Sequence, residues 1–292
     1  MTLRKTLATT LMATTLLFSA GSMAMAETLR VAIQEDPDTL DPATGQTYGG
    51  RQVFAALCDK LVDIDASLNI VPMLATRWEW DAGSTALTLH LREGVKFHDG
   101  TPFDAAAVKF NIERDKTLAD SRRKPELASV DTVTIADPLT VTLHLSKPDV
   151  TVLVALTDRA GMMISPTAAQ AEGENFPAAP VCSGPFQFAE RSQGESVRLT
   201  KFPAYWNAAN IFYDEILYTY VPDSTIRLAR LQAGDFDVAE RVAPTDMAAI
   251  EGNPKLKVYS SPGLGTELLS AGGRDTPYDT DVNVRKAFEL SI

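Results

Sequence analysis

The most constraining stretch of the sequence runs from Ala86 to Arg114 and reads ALTLHLREGVKFHDGTPFDAAAVKFNIER. Residues 87–91 and 95–98 each alternate apolar and polar side chains, which predicts two short half-buried strands. Asp99–Gly100 predicts a tight turn directly after the second strand, because glycine tolerates positive φ at no steric cost. Asp104 is placed to cap a helix that continues to Arg114. The stretch therefore predicts strand, turn, strand, turn and helix, and nothing in it requires catalysis.

The rest of the chain also predicts interleaved strands and helices. Asp223 is placed to cap one helix and Gly234 to end it, which is the usual use of these residue types. The other expected elements are a strand at Leu29–Ile33, a helix at Arg51–Leu61, a hairpin at Thr132–Leu145, strands within 196–202, 215–222 and 235–240, strands at Lys255–Ser260 and Glu267–Ala271, and a helix from Asn283 to Ile292. A strand–helix–strand run of this kind indicates an α/β core.

The amino terminus predicts secretion. Arg4 and Lys5 precede an apolar run from Leu7 to Ser19, and Ala24–Met25–Ala26 matches a small-x-small cleavage site. The apolar run is short for a membrane span, so a retained anchor is the weaker interpretation. Cleavage after Ala26 removes two positive charges and no acidic ones, and changes the formal charge from −11 to −13.

Composition excludes some classes of function. With 45% hydrophobic and 22% charged residues, the 292-residue chain is typical of a folded protein with a sizeable core. A net charge of −11 argues against nucleic acid as a partner, because phosphate binding needs clustered Lys and Arg. The sequence contains no G-x-S-x-G, H-E-x-x-H or C-x-x-C motif and only three histidines, so we expect no enzyme, no cofactor and no metal site.

Cys58 and Cys182 are the two cysteines of the chain. An oxidising compartment favours a disulfide between them, and a bridge closing 124 residues would constrain the unfolded chain by roughly 4–5 kcal/mol in the loop-entropy model. The alternative is a pair of buried free thiols that pack as small hydrophobic side chains.

Three segments carry candidate ligand contacts. Tyr48 and Arg51 follow the first strand, where α/β proteins often bind ligands, although a plain connector would look the same. Arg122–Arg123–Lys124 is a basic cluster, which is usually a solvated loop. Arg159 lies beside Asp158 between apolar runs, so the pair is expected to be partly buried. Either its charge is neutralised by Asp158 or a neighbour, or its guanidinium faces a cleft and binds a carboxylate.

The segment LREGVKFHDGTPFDAAAVKFNIER closely resembles the signature of the extracellular solute-binding proteins of dipeptide, oligopeptide and nickel ABC importers (bacterial family 5). Further blocks that resemble the family cover essentially all of the chain after the leader: LRVAIQEDPDTLDPA, CDKLVDID, PMLATRWEW, PVCSGPFQF, FPAYWN, DSTIRLARLQAGDFDV and DVNVRKAFELSI. In the family the last block opens the second lobe, so the resemblance implies a chain truncated at its C-terminus.

The resemblance implies the α/β class, with a mixed α+β subdomain, in the two-lobed periplasmic-binding-protein fold of the large peptide-binding type. Only the first lobe and the start of the second are expected. The expected division is a signal peptide at 1–26, an α/β core of lobe I at 27–65 and 180–265, an antiparallel-rich subdomain at 66–179, and the hinge crossing with the start of lobe II at 266–292.

The resemblance also implies a function without chemistry on the ligand. We expect the substrate-binding component of an ABC importer, which closes around a small peptide or peptide-like solute and delivers it to a permease and ATPase complex in the inner membrane. A periplasmic monomer without a lipid anchor is expected. Nickel-chelate, haem, glutathione or opine-type solutes, a non-binding truncated lobe, and a stand-alone interaction module are the alternatives.

For the site, the resemblance adds that the segment before Ser165–Pro166 can contribute an arginine to the ligand, which makes Arg159 the leading candidate. It also implies that the segment containing Arg122 and Arg123 can approach the ligand cleft.

Overall fold

A computed structural model describes residues 27–260 and 275–291 of the chain. The predicted signal peptide at 1–26 and the predicted strand Glu267–Ala271 lie outside the described residues. The described residues form two compact units, one ending at Asp246 and the other beginning at Met247. The predicted domain boundaries stay predictions.

The first unit contains eleven strands among its described residues: β1 Thr28–Ile33, β2 Val62–Ile64, β3 Ile70–Pro72, β4 Ala75–Trp80, β5 Ala86–Leu91, β6 Val130–Asp137, β7 Thr140–Leu145, β8 Phe186–Ser192, β9 Ser196–Lys201, β10 Glu215–Tyr220 and β11 Val238–Ala239. Its helices are α1 Tyr48–Leu57, α2 Ala105–Thr117, α3 Thr151–Ala155, α4 Pro166–Glu172 and α5 Ser224–Ala233, with short 3-10 turns at Arg159–Gly161, Gly173–Ala178, Ala208–Asn210 and Pro244–Asp246.

The strands form a five-stranded sheet in the order β11-β1-β10-β9-β8, a four-stranded sheet in the order β4-β5-β7-β6, and the hairpin β2-β3. In the five-stranded sheet β1 pairs in parallel with both β10 and β11, whereas β9 and β8 continue the sheet antiparallel. The carboxyl ends of β1, β10 and β11 therefore share one edge of the sheet. The four-stranded sheet is antiparallel throughout. The α/β class with an antiparallel portion is confirmed.

Each sheet has its own hydrophobic core. In the four-stranded sheet the predicted alternation of β5 is confirmed, because Leu87, Leu89 and Leu91 are buried and the residues between them are partly exposed. They pack with Val108 and Ile112 of α2. The core of the five-stranded sheet combines apolar residues of α1, β9 and β10: Val53, Phe54, Leu57, Val197, Leu199, Ile216 and Tyr218.

Local capping signals set most helix ends. The Asp104 carboxylate accepts from the Ala107 amide, as predicted, and begins α2. The Asp223 carboxylate accepts from the Ile226 amide to begin α5, and Gly234 ends it with a left-handed φ of 86°. The predicted hairpin Thr132–Leu145 is confirmed as β6 and β7.

Two predicted strands are absent from the described residues, and one helix is displaced. Residues 95–98 make only an isolated bridge from Lys96 to Pro102, because the turn at Asp99–Gly100 folds them back immediately. Residues 255–260 have no partner strand among the described residues and begin in a turn instead. Helix α1 starts at Tyr48 rather than Arg51, because the Thr47 side chain accepts from the Gly50 amide and caps it there.

The second unit has helices α6 Met247–Glu251, α7 Pro277–Thr280 and α8 Val282–Glu289 among its described residues. The carboxylate of Asp281 accepts from the Asn283 amide and caps α8, which confirms the helix predicted in this region. The rings of Tyr278 and Phe288 meet edge to face with centroids 5.3 Å apart.

A disulfide joins Cys58, at the end of α1, to Cys182. Of the two alternatives left open by the sequence, the bridge is the one observed. Cys182 is also fixed by His98, whose main-chain amide donates to the Cys182 carbonyl at 2.9 Å. The His98 ring accepts from the Cys182 amide through Nδ1 at 3.2 Å and donates through Nε2 to the Gly184 carbonyl at 3.0 Å. Burial lowers the pKa of His98 to about 4, so the ring is neutral at pH 7 and can make both bonds.

A buried carboxyl group, that of Asp59, directly follows the disulfide-bonded Cys58 in the chain. Asp59 accepts hydrogen bonds from the Tyr205 hydroxyl at 3.2 Å and from the Trp206 indole nitrogen at 2.7 Å. The guanidinium of Arg92 stacks on the Trp206 ring at 3.8 Å. Burial raises the pKa of Asp59 to about 7, against the opposing effect of the two hydrogen bonds.

The disulfide predicts a large stability difference. Replacing both cysteines (Cys58→Ala with Cys182→Ala) should lower the free energy of unfolding by about 4 kcal/mol, because the 124-residue loop is no longer closed in the unfolded chain. Urea unfolding followed by circular dichroism measures the change. Reductant should shift the wild-type curve and leave that of the double variant in place. Equal midpoints for the wild type and the double variant in the absence of reductant would contradict the prediction.

The buried carboxylate predicts a pH dependence. Between pH 4 and 7 the folded protein holds the Asp59 proton while the unfolded chain loses it, so this group makes stability fall as pH rises, by at most about 1.4 kcal/mol per pH unit. The difference in unfolding free energy between Asp59→Asn and wild type should therefore grow from pH 4 to 7 and level off above. His98 is present in both proteins, so its opposite dependence cancels in that difference. A difference independent of pH would contradict the prediction.

Candidate functional site

The loop between β1 and α1 is held by its own carboxylates. Glu35 accepts from the backbone amides of Tyr48 and Gly49, the latter at 2.9 Å, and so compensates the positive end of α1. Asp38 accepts from the Gln46 amide and the Thr47 hydroxyl, both at 2.9 Å. Although burial alone would raise the pKa of Asp38, these hydrogen bonds outweigh it and leave that pKa lowered. The segment Gly45–Tyr48 is thereby fixed at the carboxyl edge of the sheet.

The Gly45 carbonyl oxygen brings two of the predicted arginines together. Arg123 donates to it through Nη2 at 3.2 Å, and Arg159 donates to it through Nη1 at 3.1 Å. Gly45 itself is buried, and an added Cβ would lie 2.8 Å from the Phe54 ring. Two cationic side chains from distant parts of the sequence therefore converge on one carbonyl oxygen.

Arg159 is half-buried, and its side chain donates to a carbonyl oxygen instead of a carboxylate. Within residues 27–260 and 275–291 it forms no salt bridge, and its buried Nε has no hydrogen-bond partner. Burial lowers the pKa of Arg159, and Arg123 and Arg51 add to that shift, whereas the carboxylates of Asp158 and Glu126 oppose it. The guanidinium stays charged, because an arginine pKa starts above 12. A half-buried guanidinium with most of its donors unused is suited to binding an anion.

Asp158 does not neutralise its sequence neighbour. Its carboxylate instead pairs with Arg51 of α1, Nε to Oδ1, at 3.0 Å. The sequence left open mutual or nearby salt-bridging of the Asp158–Arg159 pair; the structure shows the nearby kind for Asp158 and no ion pair between the two. Asp158 fixes Arg51 beside the Gly45 segment.

Arg122 and Arg123 point to different surroundings. Arg123 is buried and pairs with Glu126, Nη1 to Oε1, at 2.5 Å. Burial raises the pKa of Glu126, and the charge of Arg123 opposes the shift. Arg122 is exposed, and turning the Gln46 amide by 180° lets its oxygen accept from Arg122 Nε and Nη2 at 3.1 and 3.2 Å. Arg123 is thus a structural support for the loop, and Arg122 an exposed neighbour of it.

Tyr48 is 45% exposed, and its ring lies 4.7 Å from the guanidinium carbon of Arg241. Sequence reasoning missed Arg241, because nothing near it in sequence indicates that β11 lies beside β1. It also missed the buried ion pair of Asp41 with Arg114, whose Nη1 and Oδ1 are 3.1 Å apart across 73 positions.

The structure therefore gathers all five predicted ligand residues around Gly45–Tyr48. Whether they contact a ligand stays a prediction.

Two cavities open elsewhere on the first unit. One of about 330 Å³ lies along α2, and one of about 770 Å³ lies between Asp41, Arg114 and Glu174. The predicted arginines line neither cavity. The arginine group is thus separate from both of these cavities.

The described part of the chain holds no group of three or more His, Cys, Asp or Glu side chains arranged to bind a metal ion. No helix among the described residues is long and apolar enough to span a bilayer.

Comparison with known proteins agrees with this architecture. The chain is 29% identical over 263 residues to the glutathione-binding protein GsiB of Pectobacterium atrosepticum, covering 90% of this chain and 51% of that protein. The structure of AgaA from A. tumefaciens R10 in complex with agropinic acid superposes with a TM-score of 0.74 at 32% identity, covering 78% of this chain and 46% of AgaA. The murein tripeptide binding protein MppA of Escherichia coli shares the fold, with a TM-score of 0.72 at 22% identity over 79% of this chain and 49% of MppA.

The chain spans about half the length of the curated relatives it matches. The sequence profile described as "Bacterial extracellular solute-binding proteins, family 5 Middle" matches residues 69–292, which is most of the chain. With the two-sheet architecture, the match establishes that this chain belongs to the family 5 bacterial extracellular solute-binding proteins.

Proposed function

We propose that this chain is the solute-binding component of an ABC importer, or part of it, and that it captures a small peptide-like solute through a carboxylate. The observation that carries the proposal is Arg159, a half-buried guanidinium that has one carbonyl partner, Gly45, and no salt bridge among the described residues. A bidentate carboxylate would use donors that the protein leaves free.

The relatives favour the same solute chemistry. A glutathione-binding protein and a protein in complex with agropinic acid are both named for solutes that carry carboxylates. Glutathione-type or opine-type acids are therefore the preferred solutes. Binding without chemistry, rather than catalysis, fits a family of binding proteins.

Delivery to a membrane complex is the family's mode of action. In this proposal the loaded protein docks on a permease and ATPase complex in the inner membrane and releases the solute there. The solute biases the protein toward its closed form by binding that form more tightly. We propose that the protein acts as a monomer in the periplasm.

Arg159 gives the test of solute chemistry. Arg159→Gln should weaken binding of glutathione or agropinic acid by roughly 10- to 100-fold, because a charge-assisted hydrogen-bonded pair is lost. Isothermal titration calorimetry with millimolar solute measures the dissociation constants. The control is Arg77→Gln, an exposed arginine of β4 that should leave binding unchanged. Wild-type affinity in Arg159→Gln, or no binding of either acid to the wild type, would contradict the proposal.

Secretion is tested by mass. Cleavage after Ala26 leaves a single residue, Glu27, before β1 begins at Thr28, so the mature chain would retain the whole of β1. The mass of the chain isolated from the periplasm should correspond to residues 27–292. Replacing Ala24 and Ala26 by Lys should retain the leader, because both positions require small side chains. Wild-type protein that keeps residues 1–26 would contradict the prediction.

A further inference from the structure

Arg241 adopts a strained backbone conformation. Its φ is 49°, in the left-handed region that costs a non-glycine residue of order 1 kcal/mol or more. It lies just after β11, at the edge where β1, β10 and β11 end together. In open α/β sheets, ligands bind beyond the carboxyl ends of the strands. Arg241 therefore holds a strained conformation at the edge of the sheet where a ligand would be expected.

A buried arginine holds the strained turn. Arg227 of α5 donates through Nε to the Glu240 carbonyl at 3.1 Å and through Nη2 to the Arg241 carbonyl at 2.8 Å. Its Nη1 donates to the carbonyls of Val221 and Pro222, which lie after β10, at 2.6 and 3.1 Å. Arg227 is 2% exposed, so its donors serve only to join the ends of β10 and β11. The turn that carries Arg241 is thus held in place by hydrogen bonds from a buried side chain.

The Arg241 side chain keeps its charge available. Its guanidinium stacks on the exposed Tyr48 ring, and Nη1 donates to the Gln34 amide oxygen at 3.3 Å. Within the described ranges it forms no salt bridge. The neighbouring Glu240 carboxylate accepts from neutral groups, the Gln34 main-chain amide at 2.7 Å and the Gln52 side-chain amide. Arg241 is therefore a second cation whose donors are mostly unused.

Arg241 and Arg159 are connected through one continuous surface. Tyr48, under Arg241, begins α1, and Arg51 lies three residues along the same helix face. Arg51 pairs with Asp158, and Arg159 is the next residue. The order along this surface is Arg241, Tyr48, Arg51 with Asp158, then Arg159. The surface offers two guanidinium groups without a salt bridge among the described residues and, between them, an aromatic ring and an ion pair.

We propose that Arg241 binds a second anionic group of the solute, so that the site selects solutes with two carboxylates over those with one. The proposal rests on the proposed function, in which Arg159 binds the first carboxylate. Tyr48 would then contact the uncharged part of the solute that joins the two groups.

The test uses N-acetylglutamate and N-acetylglutamine, which differ by one carboxylate replaced with an amide of the same shape. The wild-type chain should bind N-acetylglutamate roughly 10- to 100-fold more tightly in isothermal titration calorimetry. Arg241→Gln should reduce that ratio to near one, chiefly by weakening the binding of N-acetylglutamate. Arg241→Lys keeps the charge and should retain most of the ratio, which separates loss of the anion contact from loss of folding.

The outcomes separate the two proposals. A ratio that persists in Arg241→Gln, or a wild-type chain that binds both probes equally, overturns the role of Arg241 and leaves the first carboxylate contact intact. Arg159→Gln should weaken both probes, because each retains one carboxylate. A wild-type chain that binds glutathione but neither probe overturns the role of Arg241, and one that binds none of the three overturns both proposals.

Discussion

The Cys58–Cys182 bridge is the constraint on which the arrangement of the first unit depends. It ties the end of α1 to the segment that leads into β8, and His98 hydrogen-bonds both Cys182 and Gly184 from the far side. Gly184 is necessary there, since a Cβ would lie 2.6 Å from the Leu57 carbonyl carbon and oxygen. Helix α1, the turn after β5 and the start of the antiparallel strands therefore meet at one point.

The position of α1 in turn fixes the candidate site. Tyr48 and Arg51 lie in its first turn, and the loop before it presents the Gly45 carbonyl to Arg123 and Arg159. The arginines around this loop differ in the groups that their side chains are paired with. Arg51 and Arg123 have carboxylate partners and act as supports, whereas Arg159 has a single carbonyl partner. The difference distinguishes structural arginines from one that is available to a ligand.

Solute binding requires no reactive side chains, and the structure is consistent with that. The buried ionisable groups serve packing: Asp59 accepts two hydrogen bonds in the core, and the neutral His98 both donates and accepts. Two guanidinium groups without a salt bridge among the described residues, those of Arg159 and Arg241, instead lie near the edge where three parallel strands end. In a family of extracellular solute-binding proteins, that edge is where a ligand contact would be expected.

The sequence by itself determined the structural features that depend on interactions between residues close together in the chain. The caps at Asp104 and Asp223, the left-handed Gly234 and the hairpin before Leu145 were all predictable, because each rests on interactions within a few positions. The family resemblance added the fold class. The same local reasoning failed at residues 255–260, which have no partner strand within 27–260 and 275–291, since a strand pattern forms a strand only where a partner strand lies beside it.

Only the tertiary structure decided the partners of the charged residues. Arg159 meets Gly45 across 114 positions and Asp158 meets Arg51 across 107, so neither contact leaves a local pattern in the sequence. Arg241 reaches Tyr48 only because β11 pairs with β1. The sequence therefore indicated which side chains could bind an anion, and the long-range packing of strands and loops decided which of them have donors left to do so.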